Sequence, residues 1–451
     1  MGLWPLIEPR SRWAATAVVA TIGYAVLRMA TVGRWQAVAL RDTFVYERMS
    51  KLPVFSRGFL AGIHPPVEPF LMKLTGTGSL HTIAMTQAAI ATVAWLCLAV
   101  AVGIAVRHRG LRVVAIVLVL TLSLSDRVVQ WDGAALTESI SVSLFVMLVA
   151  GILVLLQRWR WVIAVPTIAV ALLWGMTRDA NSFVLATTAV AIAGLIVVRR
   201  LPRSWLALVA VCLVAFIGAN WSANAARRWQ HGFYDVIGQR VLTSASRTGF
   251  FRDRGMPTPP ELLRLAGKFD SLHNFPFERD PELASFRRWV HRHGRQTYGE
   301  YLASHPGWAL SGPFSRMHLR LTVLAPLDVY EPTNFHHAVP RLIQVPVFPL
   351  NAAIFYTEVT SIFVVGFAMA WKRPSSLLSV SIAVVVLAAV NAFVSWHADA
   401  NEISRHMLGA NVALRLGTWT LLVAVLDGLL SAQPSVTSSP TDTGPGASTM
   451  P

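Results

Sequence analysis

The chain has 451 residues, of which 54% are hydrophobic and only 14% are charged, and its formal net charge is +16. Apolar stretches of about 18 to 25 residues recur along it, which is the length that a helix needs to cross a bilayer. This pattern excludes a water-soluble enzyme. The positive charge does not indicate a nucleic-acid partner, because membrane topology and anionic lipid headgroups account for much of it.

Ten apolar segments predict an all-α polytopic membrane protein with about ten transmembrane helices. The predicted helices are 13–32, 82–106, 111–125, 134–156, 161–177, 181–198, 205–223, 346–370, 377–396 and 407–430. The third is short, which suggests a tilted or re-entrant turn at its outer end. Residues 1–223 and 346–430 would form two transmembrane parts, and the polar segment 431–451 a disordered cytoplasmic tail.

The loops between these segments carry two different kinds of charge. The first kind, the basic loops, carries mainly Arg and Lys, and comprises residues 107–112, 158–160, 199–203 and 372–373. The second kind, the mixed loops, combines acids with Arg and His, and comprises residues 41–42, 125–138, 177–179, 224–345 and 397–406. Because loops rich in Arg and Lys stay in the cytoplasm, the alternation predicts a multi-pass plasma-membrane protein whose mixed loops are extracytoplasmic.

Two outer segments are too long to be simple connectors, and both are predicted to carry amphipathic helices. In the first outer loop, residues 33–81, a helix around residues 43–52 would have its apolar residues on one side. That side comprises Phe44, Val45, Met49 and Leu52. In the central insert, residues 224–345, Asp280 and Pro281 predict the start of a helix that runs to about His293.

A second short helix of the insert would run from about Gln296 to His305. No second core-sized hydrophobic pattern is visible in the insert. We therefore expect its helices to lie on the outer membrane surface and not to form an independent catalytic domain.

The first outer loop contains a candidate base and two candidate substrate contacts. In a partly dry cleft the pKa of Asp42 would be raised, and its carboxylate could take a proton from an attacking hydroxyl. The alternative is that Asp42 caps the following helix. His64, before Pro65 and Pro66, would either donate to a phosphate or sugar oxygen or belong to a rigid turn. We assign Tyr46, one turn after Asp42, to the same substrate site.

Two further mixed loops contain one candidate residue each. Glu138 opens the fourth helix about one turn below the surface, where an acid is costly unless it faces a polar cavity. The alternative is a favourable charge at a helix N-terminus. Arg178 lies in a tight turn, where its guanidinium would either grip a phosphate or pair with the adjacent Asp179.

The last mixed loop offers the densest set of candidates: His397, Asp399, Glu402, Arg405 and His406. If residues 402–406 are helical, Glu402 and His406 share a face. A divalent cation would suit such a face, but no tight ligand motif is present, so the sequence predicts neither a metal nor another cofactor. Arg405 and His406 fit a lipid phosphate better.

Five motifs, which all lie on the predicted outer side of the membrane, resemble in type and in chain order those of the GT-C superfamily of membrane glycosyltransferases. The motifs are the acid after the first helix, the Pro-Pro element, Thr137-Glu138-Ser139, Thr177-Arg178 and Glu402-x-x-Arg405-His406. The resemblance covers about residues 10–430 and is nearest to bacterial members that use polyprenyl-phosphate sugars, such as protein O-mannosyltransferases and arabinofuranosyltransferases. Asp42 lacks a second acid beside it, unlike members with a paired-acid, metal-binding loop.

The resemblance implies a role for each candidate residue. Asp42 would deprotonate the acceptor hydroxyl, and Arg178, Arg405 and His406 would hold the phosphate of the lipid donor. Glu138 and the 397–402 segment would shape the sugar or acceptor pocket. Cationic groups beside the phosphate would stabilise the charge that develops on this leaving group.

The sequence therefore predicts a hexosyl- or pentosyltransferase in the bacterial plasma membrane, in contact with membrane lipids. It would move a sugar, with inversion, from a polyprenyl-phosphate donor to an envelope glycan, lipid or protein. The alternative is a transporter or flippase of a lipid-linked envelope intermediate. A transporter needs polar groups on both sides of the membrane midplane, whereas in this chain they concentrate at one face, apart from Glu358 and Arg415, which would form an ion pair.

Overall fold

The computed structural model describes residues 12–76, 79–270, 275–314, 331–349, 351–372 and 375–431. Within these ranges the chain is helical, with two isolated β-bridges and no strand, so the predicted all-α class is confirmed. The predicted cytoplasmic tail lies outside the described residues, except for its first residue.

Long helices alternate with short ones along both halves of the chain. The first half contains α1 Arg12–Gly33, α2 Arg41–Ser50, α3 Arg57–Leu60, α4 Val67–Thr75, α5 Leu80–Ala105, α6 Arg109–Leu124, α7 Asp126–Val129, α8 Thr137–Gln157, α9 Trp161–Gly175, α10 Asp179–Val197 and α11 Leu206–Ala225. The second half contains α12 Arg228–Val236, α13 Ala245–Arg252, α14 Pro260–Leu263, α15 Pro276–Arg279, α16 Ala284–Trp289, α17 Arg295–Ser304, α18 Pro306–Phe314, α19 Arg341–Val347, α20 Ala352–Lys372, α21 Ser376–Ala398, α22 Ile403–His406 and α23 Leu408–Leu430.

Each of the ten predicted segments is a helix, and the chain is a multi-pass helical membrane protein. Six helices of the described part are long and apolar enough to cross a membrane, namely α5, α8, α10, α11, α21 and α23. The predicted turn after the third segment is present, because α6 and the helical segment Asp126–Gly133 lie at 55° to each other and together form one candidate span or a re-entrant loop. The apolar parts of α1, α9 and α20 are shorter, so these three crossings stay a prediction.

Two of the spans form the centre of the bundle. In α8 and α23, 72% of the apolar stretch is buried inside the protein, against 33% in α10 and α11. Apolar side chains of the outer helices, such as Val162 and Val197, are exposed and suit contact with lipid. The two central helices both begin at the same end of the bundle, which is the end where the candidate residues meet.

A buried ion pair fixes the first helix to this centre. Arg28 of α1 contacts Asp132 at 2.8 Å, and both side chains are almost fully buried. Ser139 of α8 donates to the other carboxylate oxygen of Asp132 at 2.6 Å, and Arg28 also donates to the hydroxyl of Tyr24 at 3.2 Å. Both charges are thus compensated, which is what burial of charge within a membrane requires.

The first outer loop contains the predicted amphipathic helix, but the predicted apolar side is wrong. Helix α2 buries Thr43, Tyr46, Met49 and Ser50, whereas Phe44 is exposed. The buried face is the one that packs on the protein, and Thr43 fixes it by donating its hydroxyl hydrogen to the carbonyl of Ala135 at 2.9 Å.

The central insert has its own hydrophobic core, so the expectation that it lacks a second core is wrong, while its position on the outer membrane surface stays a prediction. The core is largely aromatic and includes Phe251, Phe277, Phe286, Trp289 and Tyr301. These rings are distributed over several short helices, and therefore give no regular period in the sequence.

Asp280 caps the predicted helix of the insert, but the helix does not end where expected. The carboxylate of Asp280 accepts the N–H of Glu282 at 2.9 Å, as an N-cap does. The helical run then continues from Pro281 through the wide turn Val290–Gly294 into α17, and ends at Ser304. The two predicted helices are thus one continuous run.

The predicted sidedness can be tested by cysteine labelling. Arg57 and Arg109 are both exposed, the first in the first outer loop and the second in a basic loop. In a chain whose Cys97 and Cys212 are replaced by Ala, we expect an impermeant thiol reagent added outside intact cells to label Arg57→Cys and spare Arg109→Cys. Labelling of residue 109 from outside would contradict the orientation.

Candidate functional site

The beginnings of three helices converge at one end of the bundle. Glu138 is the second residue of α8, Arg178 directly precedes α10, and Arg405 lies in α22, just before α23. Helix N-termini carry partial positive charge and unpaired N–H groups, which favours anions nearby. The far end of α23 lies at a basic loop, because Asp427 accepts the backbone N–H groups of Arg107 and His108 at 2.9 and 2.8 Å.

Arg405 joins three carboxylates at this end. Its Nε donates to Oε1 of Glu138 at 2.6 Å, its Nη2 to Oδ2 of Asp42 at 2.7 Å, and its Nη1 to Oε2 of Glu402 at 2.7 Å. Burial lowers the pKa of Arg405, but the charges of Glu138 and Asp42 outweigh it and raise the pKa. Arg405 is therefore a permanently charged guanidinium at the centre of an acidic cluster, which we call the Arg405 cluster.

Asp42 belongs to this cluster and does not cap its helix. The N-cap of α2 is Leu40, whose N–H bonds the hydroxyl of Thr43 at 3.0 Å, so the capping alternative is wrong. Burial raises the pKa of Asp42, but Arg405 and His64 lower it more, and the net change is downward. The expected rise of this pKa is therefore wrong, because the sequence does not show the ion pair with Arg405.

His64 and Tyr46 form an uncharged wall beside Asp42. Nε2 of His64 lies 3.6 Å from Oδ1 of Asp42, and its ring packs edge-on against the ring of Tyr46 with centroids 4.9 Å apart. Burial lowers the pKa of His64 more than Asp42 raises it, and burial raises the pKa of Tyr46. Both side chains are therefore neutral at pH 7, and each can donate or accept a hydrogen bond.

Glu138 faces the cluster and is fully enclosed. Its Oε1 accepts from Arg405 and lies 3.4 Å from Nη1 of Arg178. Its Oε2 is buried and has no hydrogen-bond partner in the described part of the chain. The side chain thus takes part in ion pairs across the bundle, and one oxygen stays available as an acceptor.

Arg178 and His406 form a second contact next to the first. Nη2 of Arg178 donates to Nδ1 of His406 at 2.6 Å, so the imidazole proton sits on Nε2, 3.5 Å from Oδ2 of Asp399. Burial lowers the pKa of His406, and Arg178 and Arg405 lower it further, so the ring is neutral. The alternative pairing of Arg178 with Asp179 is wrong, because Asp179 contacts Arg228 at 2.8 Å.

The last mixed loop does not place its His and acids as one ligand set. Glu402 directly precedes α22 and binds Arg405, whereas His406 faces Arg178, so they do not share a ligand. Asp399 accepts the N–H groups of Ala400 and Asn401, and burial raises its pKa to about 6. Within the described ranges no three His, Cys, Asp or Glu are arranged to hold a metal ion.

His397 lies outside the Arg405 cluster, although the sequence places it close to Arg405, and its role as a substrate contact stays a prediction. Its Nδ1 is 2.8 Å from the hydroxyl of Tyr298, and its Nε2 is 2.9 Å from the carbonyl of Ala309. Both ring nitrogens are thus engaged by the central insert. His397 joins the insert to the end of α21 and leaves no ring nitrogen for a ligand.

Sequence reasoning missed Glu68, a second buried acid close to the cluster. Its side chain is completely buried in α4, and its Oε1 accepts from Nε2 of Gln87 at 3.0 Å. Gln87 also donates to the carbonyl of Leu136 at 3.0 Å, just before α8. Burial raises the pKa of Glu68 to about 8, and Glu138 contributes to the rise. The signal in the sequence was an acid within a short apolar helix.

We expect Glu68→Gln to change how stability depends on pH. The unfolded carboxyl titrates near pH 4.5 and the folded one near 8, so its stabilisation is complete below pH 4.5 and lost as pH rises to 8. The loss is at most about 1.4 kcal/mol per pH unit. Thermal melting in detergent from pH 5 to 8 should decline less in Glu68→Gln than in wild type. Equal slopes would show that folded Glu68 is ionised.

The comparisons with known proteins are sparse. No family model and no curated protein matches the chain. Among solved structures, an archaeal oligosaccharyltransferase from Archaeoglobus fulgidus, in complex with an inhibitory peptide and a dolichol-phosphate, matches 94% of this chain with a TM-score of 0.46 and 14% identity. The chain spans about half of that protein, 51% of its length.

Proposed function

We propose that this protein is a GT-C type glycosyltransferase that moves a sugar from a polyprenyl-phosphate donor to an extracytoplasmic envelope acceptor, with inversion. The observation that carries the proposal is the Arg405 cluster itself. Two guanidiniums, Arg405 and Arg178, stand where three helix N-termini meet, and a carboxylate, Asp42, lies directly beside them. Such a place suits a phosphate leaving group and a proton acceptor within one site.

The proposed reaction is a single displacement. The acceptor oxygen forms a bond to the anomeric carbon while the bond from that carbon to the phosphate oxygen breaks, and the electron pair leaves with the phosphate. Arg178 and Arg405 stabilise the charge that develops on the phosphate. The proton of the acceptor hydroxyl passes to Asp42.

The low pKa of Asp42 is compatible with this role. Sugar transfer proceeds through a transition state that resembles an oxocarbenium ion, in which the attacking hydroxyl becomes acidic as its bond to carbon forms. A weak carboxylate base is then sufficient. Glu138, His64 and Tyr46 would supply the hydrogen-bonding groups around the sugar, and Asp399 the rim of the acceptor side.

Arg415, the charged residue nearest the middle of the last helix, is built into the packing of the bundle. Its guanidinium donates to Asn411 and to the carbonyl of Pro349, and lies 3.7 Å from the centre of the Phe348 ring. The ion pair of Arg415 with Glu358 stays a prediction. These contacts favour a structural role over a step in a transport path, and so favour the enzyme.

Purified protein in detergent micelles distinguishes a transferase from a flippase. Micelles have no two leaflets, so a flippase has no product there, whereas a transferase still releases polyprenyl phosphate. We expect release of polyprenyl phosphate from a labelled polyprenyl-phosphate sugar in the presence of envelope extract, and label in the acceptor fraction. Absence of product in micelles, with movement of the donor between leaflets in proteoliposomes, would favour the transporter.

A further inference from the structure

The three carboxylates on Arg405 differ in how firmly they are held. The side chain of Glu138 is 0% exposed, that of Asp42 is 25% exposed, and that of Glu402 is 37% exposed. Asp42 is also anchored through α2, since the adjacent Thr43 bonds the carbonyl of Ala135 before α8. Glu402 is therefore the partner of Arg405 that can be exchanged most easily.

The local backbone allows the Glu402 side chain to leave without disturbing Arg405. The turn into α22 is held by the main-chain carbonyl of Glu402, which accepts the N–H groups of Arg405 and His406 at 2.9 and 3.0 Å. The side chain contacts the guanidinium of Arg405 three residues further along the chain, and this contact is separate from the main-chain hydrogen bonds of the turn. Glu402 also has a φ of +45°, a left-handed conformation that is uncommon for a residue with a side chain and is often found at functional sites.

We infer that Glu402 is an internal anion that occupies Arg405 until the phosphate of the lipid donor replaces it. The inference rests on the proposed function and names the mode of donor recognition at the same site. A carboxylate and a phosphodiester each carry one negative charge and each accept hydrogen bonds from a guanidinium. The exchange therefore keeps the charge of the cluster constant, and Glu138 and Asp42 keep their own contacts with Arg405.

This inference predicts that loss of the Glu402 charge strengthens donor binding. The probe is farnesyl phosphate, titrated into the purified protein in detergent micelles, with farnesol as the uncharged reference. We expect Glu402→Gln to bind farnesyl phosphate about tenfold more tightly than wild type does, because a competing charged hydrogen bond is removed. Binding of farnesol should not change.

Glu47→Gln is the matched control. Glu47 is 39% exposed and binds Lys51 at 2.9 Å, so it has nearly the same exposure and a charged partner, but it is not in the cluster. Its replacement should leave the affinity for farnesyl phosphate unchanged. Thermal melting of both variants close to that of wild type would confirm that each one folds.

Two outcomes would overturn the inference, and they differ in what they say of the proposed function. If wild type prefers farnesyl phosphate over farnesol, and Glu402→Gln binds it equally or more weakly, Glu402 does not compete with phosphate and the proposed function still stands. If wild type shows no preference for farnesyl phosphate, both the inference and the phosphate site fail.

Discussion

Replacing Arg405 with Met is expected to abolish sugar transfer and to destabilise the protein. The change removes the charge while it keeps much of the volume. It leaves Glu138, whose side chain is fully buried, without its closest cation, and it also removes a charged partner from Asp42 and from Glu402. Removing one partner of a buried ion pair costs about 3–5 kcal/mol. The phosphate of the donor would lose its central contact as well.

Arg254→Met is the control for this prediction, measured by thermal melting in detergent and by transfer in membranes. Arg254 pairs with Glu300 at 3.0 Å, but both side chains are well exposed, and such pairs contribute about 0–1 kcal/mol. Arg405→Lys should fold better than Arg405→Met and still transfer poorly, because an ammonium cannot reach three carboxylates in one plane. Arg405→Met with wild-type melting and transfer would contradict the central position given to this residue.

Much of the membrane fold could be predicted from the sequence, because the bilayer fixes the length of an apolar helix. The fourth predicted segment, 134–156, corresponds to α8, Thr137–Gln157, and the last, 407–430, to α23, Leu408–Leu430. The choice of candidate residues also depended on a local property, the mixture of acids with Arg and His in single loops.

The contacts within the site could not be predicted, because they join residues that are distant in the chain. Arg405 binds Asp42 across 363 residues and Glu138 across 267. The contact with Arg405, and not the local sequence, is the main reason why the pKa of Asp42 is lowered. The position of His397 could not be predicted for the same reason. It is close to Arg405 in the sequence, but its contact is with Tyr298 of the insert, which is distant in the chain.

Asp42→Asn is expected to reduce transfer by about 10²- to 10⁴-fold, the usual contribution of a general base. The amide keeps the size of the side chain and can still accept a hydrogen bond from Arg405, but it cannot take up a proton. The side chain is 25% exposed, so the fold should tolerate the change. If the protein were a scaffold without catalytic activity, wild type and Asp42→Asn would function equally well.

The central claim is tested most directly by transfer from a labelled polyprenyl-phosphate sugar in membranes that contain equal amounts of wild type, Asp42→Asn or Glu47→Gln. Glu47 lies on the same helix as Asp42, with its own partner Lys51, and its replacement controls for a charge change nearby. We expect wild type and Glu47→Gln to label an envelope acceptor at similar rates, and Asp42→Asn to label it at least about 100-fold more slowly. Equal labelling by all three would contradict the assignment of Asp42 as the base and, with it, of the Arg405 cluster as the site of sugar transfer.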